Sequence, residues 1–153
     1  MRAILIATVL FVSASGSIWG QAPPATPSQL GYFRYVLTTL ANPMYDQQFV
    51  AKEADLIIAS WALNEGEAAA FRSAVQKMHV VLEDVRKERT VIVSRRSVLT
   101  STDRAEIDAL SGRVEDGVTL LANQILNSVR PEIAARLRRA GEIVANATKI
   151  GVN

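Results

Sequence analysis

Phe71-Arg-Ser-Ala-Val75-Gln-Lys-Met78-His-Val-Val-Leu82-Glu-Asp-Val85 is the stretch that decides the fold. Its apolar residues Phe71, Val75, Met78, Leu82 and Val85 step by four and three, the spacing of one face of an α-helix. Ile92 falls seven residues further along the same stripe. The pattern predicts a helix from about Glu65 to Val98, roughly 50 Å long at 1.5 Å per residue. Within it, Thr90-Val91-Ile92-Val93 is a run of β-branched residues with strand propensity. No second strand is available to pair with it. The run is expected to stay helical and to mark the place for a kink or an exposed sticky segment.

The same periodicity extends in both directions. Leu30, Phe33, Leu37 and Leu40 outline a first helix, which Asn42-Pro43 interrupts. Val50, Ala54, Ile57 and Trp61 outline a second. Ile107, Leu110, Val114, Gly117, Leu121 and Leu126 mark a fourth, and Ile133, Leu137, Ala140 and Val144 a fifth, with Pro131 suited to its first turn. The expectation is an all-α domain over 29–153, an elongated four- to five-helix bundle or helical-hairpin assembly. Gly117 falls on the apolar seam of the fourth helix. It marks either a close helix approach or a tolerated weak spot costing up to about 1 kcal/mol relative to alanine.

Two helix starts share a pattern. Leu63-Asn64-Glu65-Gly66-Glu67 precedes the third helix, and Leu99-Thr100-Ser101-Thr102-Asp103 the fourth. In each, a capping residue is followed three positions later by an acid that can reach back to the cap's own N–H. The 36-residue spacing points to a duplicated helical hairpin. Leu99-Thr100-x-x-Asp103 and, more loosely, Leu63-Asn64-x-x-Glu67 resemble the paired Leu-Thr-x-x-Gln motifs of the Spy/CpxP-like periplasmic stress and metal-resistance proteins, with an acid in place of the glutamine. The resemblance implies a thin helical dimer that binds unfolded clients or senses envelope stress.

The chain opens with Arg2, a short apolar run from Ala3 to Val12, and a small-residue segment ending Ile18-Trp19-Gly20. This is the layout of a Sec-type signal peptide over 1–20. Cleavage is expected after Gly20, with Gly16 as the competing position. The alternative is an uncleaved N-terminal anchor, although a spanning helix needs roughly 20 apolar residues, which this run does not reach. A Pro-rich tether is expected over 21–28. The absence of cysteine removes disulfides, thiolate metal sites, cysteine nucleophiles and a lipobox. Together these features predict a periplasmic or secreted bacterial protein with no transmembrane segment in the mature chain.

Charge and chemistry narrow the function classes. Seventeen basic residues against fifteen acidic ones leave a formal charge of +2, too balanced for a dedicated nucleic-acid binder. His79 is the single histidine, with Glu83 one turn away. Two ligands fall short of the four that zinc takes, so the pair reads as a surface ion pair or hydrogen bond. No Gly-x-Ser-x-Gly elbow, phosphate loop or dinucleotide fingerprint occurs. No catalytic, cofactor-binding or metal residue is therefore expected, and no cofactor. The enzyme alternative is a small exported all-helical protein of the chorismate-mutase type, with Arg34, Lys52 and Glu53 in the clamping and reacting roles. A structural envelope component is a further alternative.

Arg86, Arg89, Arg95 and Arg96 on the third helix and Arg136 and Arg139 on the fifth are the candidate partner-binding residues. They form either solvated faces with i,i+4 partners or an electropositive surface for acidic clients. The combined expectation is an exported, non-enzymatic helical binding protein of chaperone-like character, recognising unfolded or acidic polypeptides. The apolar stripe of the long helix is its expected homodimer seam.

Overall fold

In the computed structural model, residues 23–95 and 98–150 are described, with side chains as far as Ala147. The expected export segment, the first two residues of the tether and Arg96 lie outside the described residues. Among the described residues all regular structure is helical, with helices α1 (Pro27–Leu40), α2 (Gln47–Trp61), α3 (Glu65–Ser94), α4 (Ser101–Ser128) and α5 (Pro131–Ile150). No helix among the described residues is long and apolar enough to cross a membrane.

Helix boundaries follow local chemistry. Both expected capping boxes form. The Asn64 side chain accepts from Glu67 N–H at 2.9 Å, and the Glu67 carboxylate accepts from Asn64 N–H at 2.8 Å. Thr100 and Asp103 make the reciprocal pair at the start of α4. A third capping box, Thr26 with Gln29, starts α1 at Pro27, so the helix takes up the last two residues expected in the tether. Proline at N1 loses no helical hydrogen bond and arrives with a helical φ. The described remainder of the tether, 23–26, is docked rather than free. Ala25 N–H donates to Asn123 Oδ1 at 2.7 Å, and the Pro23 and Pro24 carbonyls accept from Arg138.

The third helix stays α-helical through the β-branched run but ends at Ser94, short of the expected Val98. The Ser94 hydroxyl donates to the Val91 carbonyl, a local bond that competes with continuation of the helix.

Helices α3 and α4 form a long antiparallel hairpin. Its register is marked by Arg130 on Glu67, Lys77 on Gln124, Arg113 on Glu88 and Arg95 on Glu106. The core fills only one end of that hairpin. There Phe71, Val75 and Met78 of α3 and Val118, Ile125 and Leu126 of α4 meet Phe33 and Leu37 of α1. Ile133, Ala134 and Leu137 of α5 close the same core. The stripe expected to form a homodimer seam is thus largely spent inside the chain, because α1 and α4 cover Phe71, Val75 and Met78. Toward the far end the hairpin continues as a two-helix arm, where Ile92 and Leu110 are buried outside the main core.

Gly117 proves to be the tolerated weak spot. A Cβ there would sit 3.6 Å from Val81 Cγ1 and 3.7 Å from Met78 Sδ, which is ordinary contact. The close approach occurs instead at Gly141 of α5, where a Cβ would lie 2.7 Å from the Gln29 Cα of α1. Gln29 is buried at 4% exposure, and its amide bridges Glu142 and Arg138.

Helix α2 is the most lightly held. Only Ala54 and Trp61 are buried, and it ends at Ala62 in the left-handed conformation at φ 55°. Trp61 anchors it through edge contacts with Phe33 and Phe71 and an N–H donated to Tyr32 Oη at 3.2 Å.

Candidate binding grooves

The light packing of α2 leaves a concavity on each of its flanks. Between the C-terminal end of α2 and α5 runs an apolar trough of about 380 Å³. Tyr32, Trp61, Leu137 and Ile143 form its floor, and Arg136 and Arg139 stand at its edge. No carboxylate lines it. The Arg136 guanidinium reaches the Ser60 carbonyl at 3.5 Å, whereas Arg139 makes no ion pair with the described residues. Ile143 is 61% exposed, a large apolar side chain with its outer face open.

On the other flank, α1, α2 and α3 enclose a cleft of about 310 Å³. Leu40, Val50, Ala54 and Val75 supply its apolar surface. Asn42, Gln76, His79 and Arg72 supply its polar groups. His79 Nδ1 lies 3.1 Å from the Ala41 carbonyl; a carbonyl only accepts, so Nδ1 carries the proton. Its Nε2 stands 4.0 Å from Glu83, whose nearer partner is Lys87 at 3.0 Å. The hydrogen bond and charge of Lys87 hold the Glu83 carboxyl below its ordinary pKa. The expected His79–Glu83 pair is therefore a long surface contact. Among the described residues no group of three or more His, Cys, Asp or Glu is placed to hold a metal ion.

The five described arginines of the candidate partner-binding set fall at two separate places. Arg86 lies beside the α1–α2 loop, against Asn42, Pro43 and Tyr45. Arg89 is exposed further along the arm, and Arg95 is spent on Glu106 at 2.8 Å. Arg96 is outside the described residues. Arg136 and Arg139 sit at the opposite end of α3, at the trough beside Trp61. The cause is geometric: α3 is 30 residues long, so residues 86–95 and the α5 arginines lie tens of ångströms apart at ~1.5 Å rise per residue. The mutase-type set is also dispersed. Arg34 pairs with Glu115 of α4, and Lys52 and Glu53 lie on α2 without lining either groove.

Sequence reasoning missed Arg130, the arginine with the most consequential contacts. Its backbone N–H and Nε donate to Glu67 Oε1 at 2.7 and 2.9 Å, and its Nη2 donates to the Ala62 carbonyl at 2.7 Å. This clamp fixes the α2–α3 corner against the α4–α5 corner, and so sets where Trp61 and α5 stand across the trough. The hydrogen bond from Arg130 holds the Glu67 carboxyl below its ordinary pKa against the opposing effect of burial. A capping acid one turn into a helix looks locally satisfied, so its second partner 63 residues away left no signal in the sequence.

Comparison of the chain with protein-family models, curated proteins and solved structures finds no match. The fold and grooves define an all-α bundle with an open, basic-edged apolar trough.

Proposed function

We propose that this protein is a polypeptide-binding helical module, working in the bacterial envelope, that captures apolar segments flanked by acidic residues in the α2–α5 trough. The observation that carries the proposal is the placement of Arg136 and Arg139 on a trough of apolar side chains with no acid in its lining. Apolar burial supplies most of the affinity for such a segment. Guanidiniums that fork onto carboxylates set its polarity and sign. Two further features favour a client that is unfolded rather than folded. The trough is open to solvent, with Ile143 of its lining 61% exposed, which suits an extended or amphipathic segment better than a convex surface. Met44, Tyr45, Phe49 and Leu56 are also exposed around α2, providing secondary apolar footholds. The paired capping motifs that resemble those of periplasmic stress proteins are consistent with this class.

The test is binding to a permanently unfolded acidic protein and to an unfolded basic one, with aggregation followed by light scattering. We expect saturable binding of the acidic client alone, weakening steeply with salt as surface charges are screened. Arg136→Glu with Arg139→Glu should weaken it roughly tenfold or more, as expected for loss of charge-assisted bonds. Equal binding of both clients, or no effect of the double substitution, would remove the proposal.

A further inference from the structure

The second cleft has a different chemistry. It is bounded by three helices, and its volume of about 310 Å³ lies at the lower end of small-molecule sites. Its lining holds a single formal charge, the Arg72 guanidinium, and no Asp or Glu. Arg72 gives one Nη2 contact to Asp55 at 2.7 Å and remains half exposed. A guanidinium has five donors in a planar fork, so most of its donating capacity is uncommitted. Asn42, Gln76 and His79 add polar groups around the same cleft, and the His79 ring is held in place by the Ala41 carbonyl. Leu40, Val50, Ala54 and Val75 give an apolar surface beneath them. Glu83 approaches only the outer side of His79, at 4.0 Å, and does not line the cleft.

We infer that the α1–α2–α3 cleft binds a small monocarboxylate with an apolar body, its carboxylate on Arg72 and its chain against Val50, Ala54 and Val75. The sign of the ligand follows from the guanidinium donors that the single Asp55 contact leaves free and from the absence of Asp and Glu in the lining. Its size follows from the volume, and its apolar body from the aliphatic surface. A hydroxyl or ammonium head group would offer the remaining guanidinium donors no charged acceptor.

Calorimetric titration of the full chain with octanoate, octan-1-ol and octyltrimethylammonium tests this. We expect one saturable octanoate site, with octanol roughly tenfold weaker for want of the charge-assisted bond. The ammonium compound should not bind. Arg72→Gln should weaken octanoate to the level of octanol and leave octanol unchanged. Ala51→Trp places a large side chain at an exposed position of the cleft lining and should abolish both while helical circular dichroism is retained. Arg136→Glu with Arg139→Glu should leave octanoate binding intact, which separates this site from the polypeptide trough. Absence of saturable octanoate binding, equal binding of the ammonium compound, or binding that survives Ala51→Trp in a folded protein would overturn the inference.

Discussion

The Glu67 carboxylate accepts both the backbone N–H and the guanidinium of Arg130, 63 residues further along the chain. Glu67 is only 4% exposed, and it simultaneously closes the capping box of α3 with Asn64. One carboxylate thereby satisfies donors from two corners of the bundle. A buried acid with this many charged and backbone donors is stabilised as the anion.

Replacing Glu67 should therefore be costly. Glu67→Ala removes a cap and a buried partner of an arginine, with an expected loss of about 3 kcal/mol in urea unfolding near neutrality. The pH dependence has a definite sign. Because the folded pKa lies below the ordinary value of 4.5, the contribution is complete above that value. It is lost as pH falls through the lowered folded pKa. Stability of the parent protein should fall across that acidic window, and Glu67→Gln should show a shallower fall. Identical acid profiles for the two proteins would contradict this role.

The two helical glycines on packed faces should respond in opposite directions. Gly117→Ala gains helix propensity of about 0.5–1 kcal/mol and meets only ordinary contacts with Val81 and Met78. Gly141→Ala drives a Cβ into the α1 backbone at Gln29, where no side chain can swing away. Overpacking of this kind costs about 1–3 kcal/mol. Thermal melts should thus rise for Gly117→Ala and drop for Gly141→Ala.

The α3–α4 arm should be the least protected part of the two long helices. Ile92 and Leu110 are buried there outside the main core, and Val91 and Val93 are exposed. Local opening is favoured where few apolar contacts are buried. Amide hydrogen exchange should be fast over residues 86–95 and 101–110 and slow over 68–78 and 118–126. Uniform protection along α3 would show that the arm is covered by something else in solution.

The sequence was legible wherever structure is written locally. Apolar steps of three and four placed all five helices, and the Asn64–Glu67 and Thr100–Asp103 spacings placed the starts of α3 and α4. The Thr26–Gln29 box carries the same signature, but the neighbouring prolines read as extended chain and masked it. The candidate site was legible only in part. Arg136 and Arg139 came from a charge pattern, yet nothing local separates them from Arg95, which the fold spends on Glu106.

The chain by itself determined an all-helical architecture, the helix order and the residues able to form a core, because periodicity and capping depend on neighbours within one turn. Tertiary structure alone decided the rest. It packed the stripe of the long helix against α1 and α4, and it put the close helix approach at Gly141 rather than Gly117. It also joined Glu67 to Arg130 and left α2 lightly packed with a groove on each flank. Each of these depends on which faces meet across distances of many residues. A one-dimensional pattern says which face is apolar but not what will cover it.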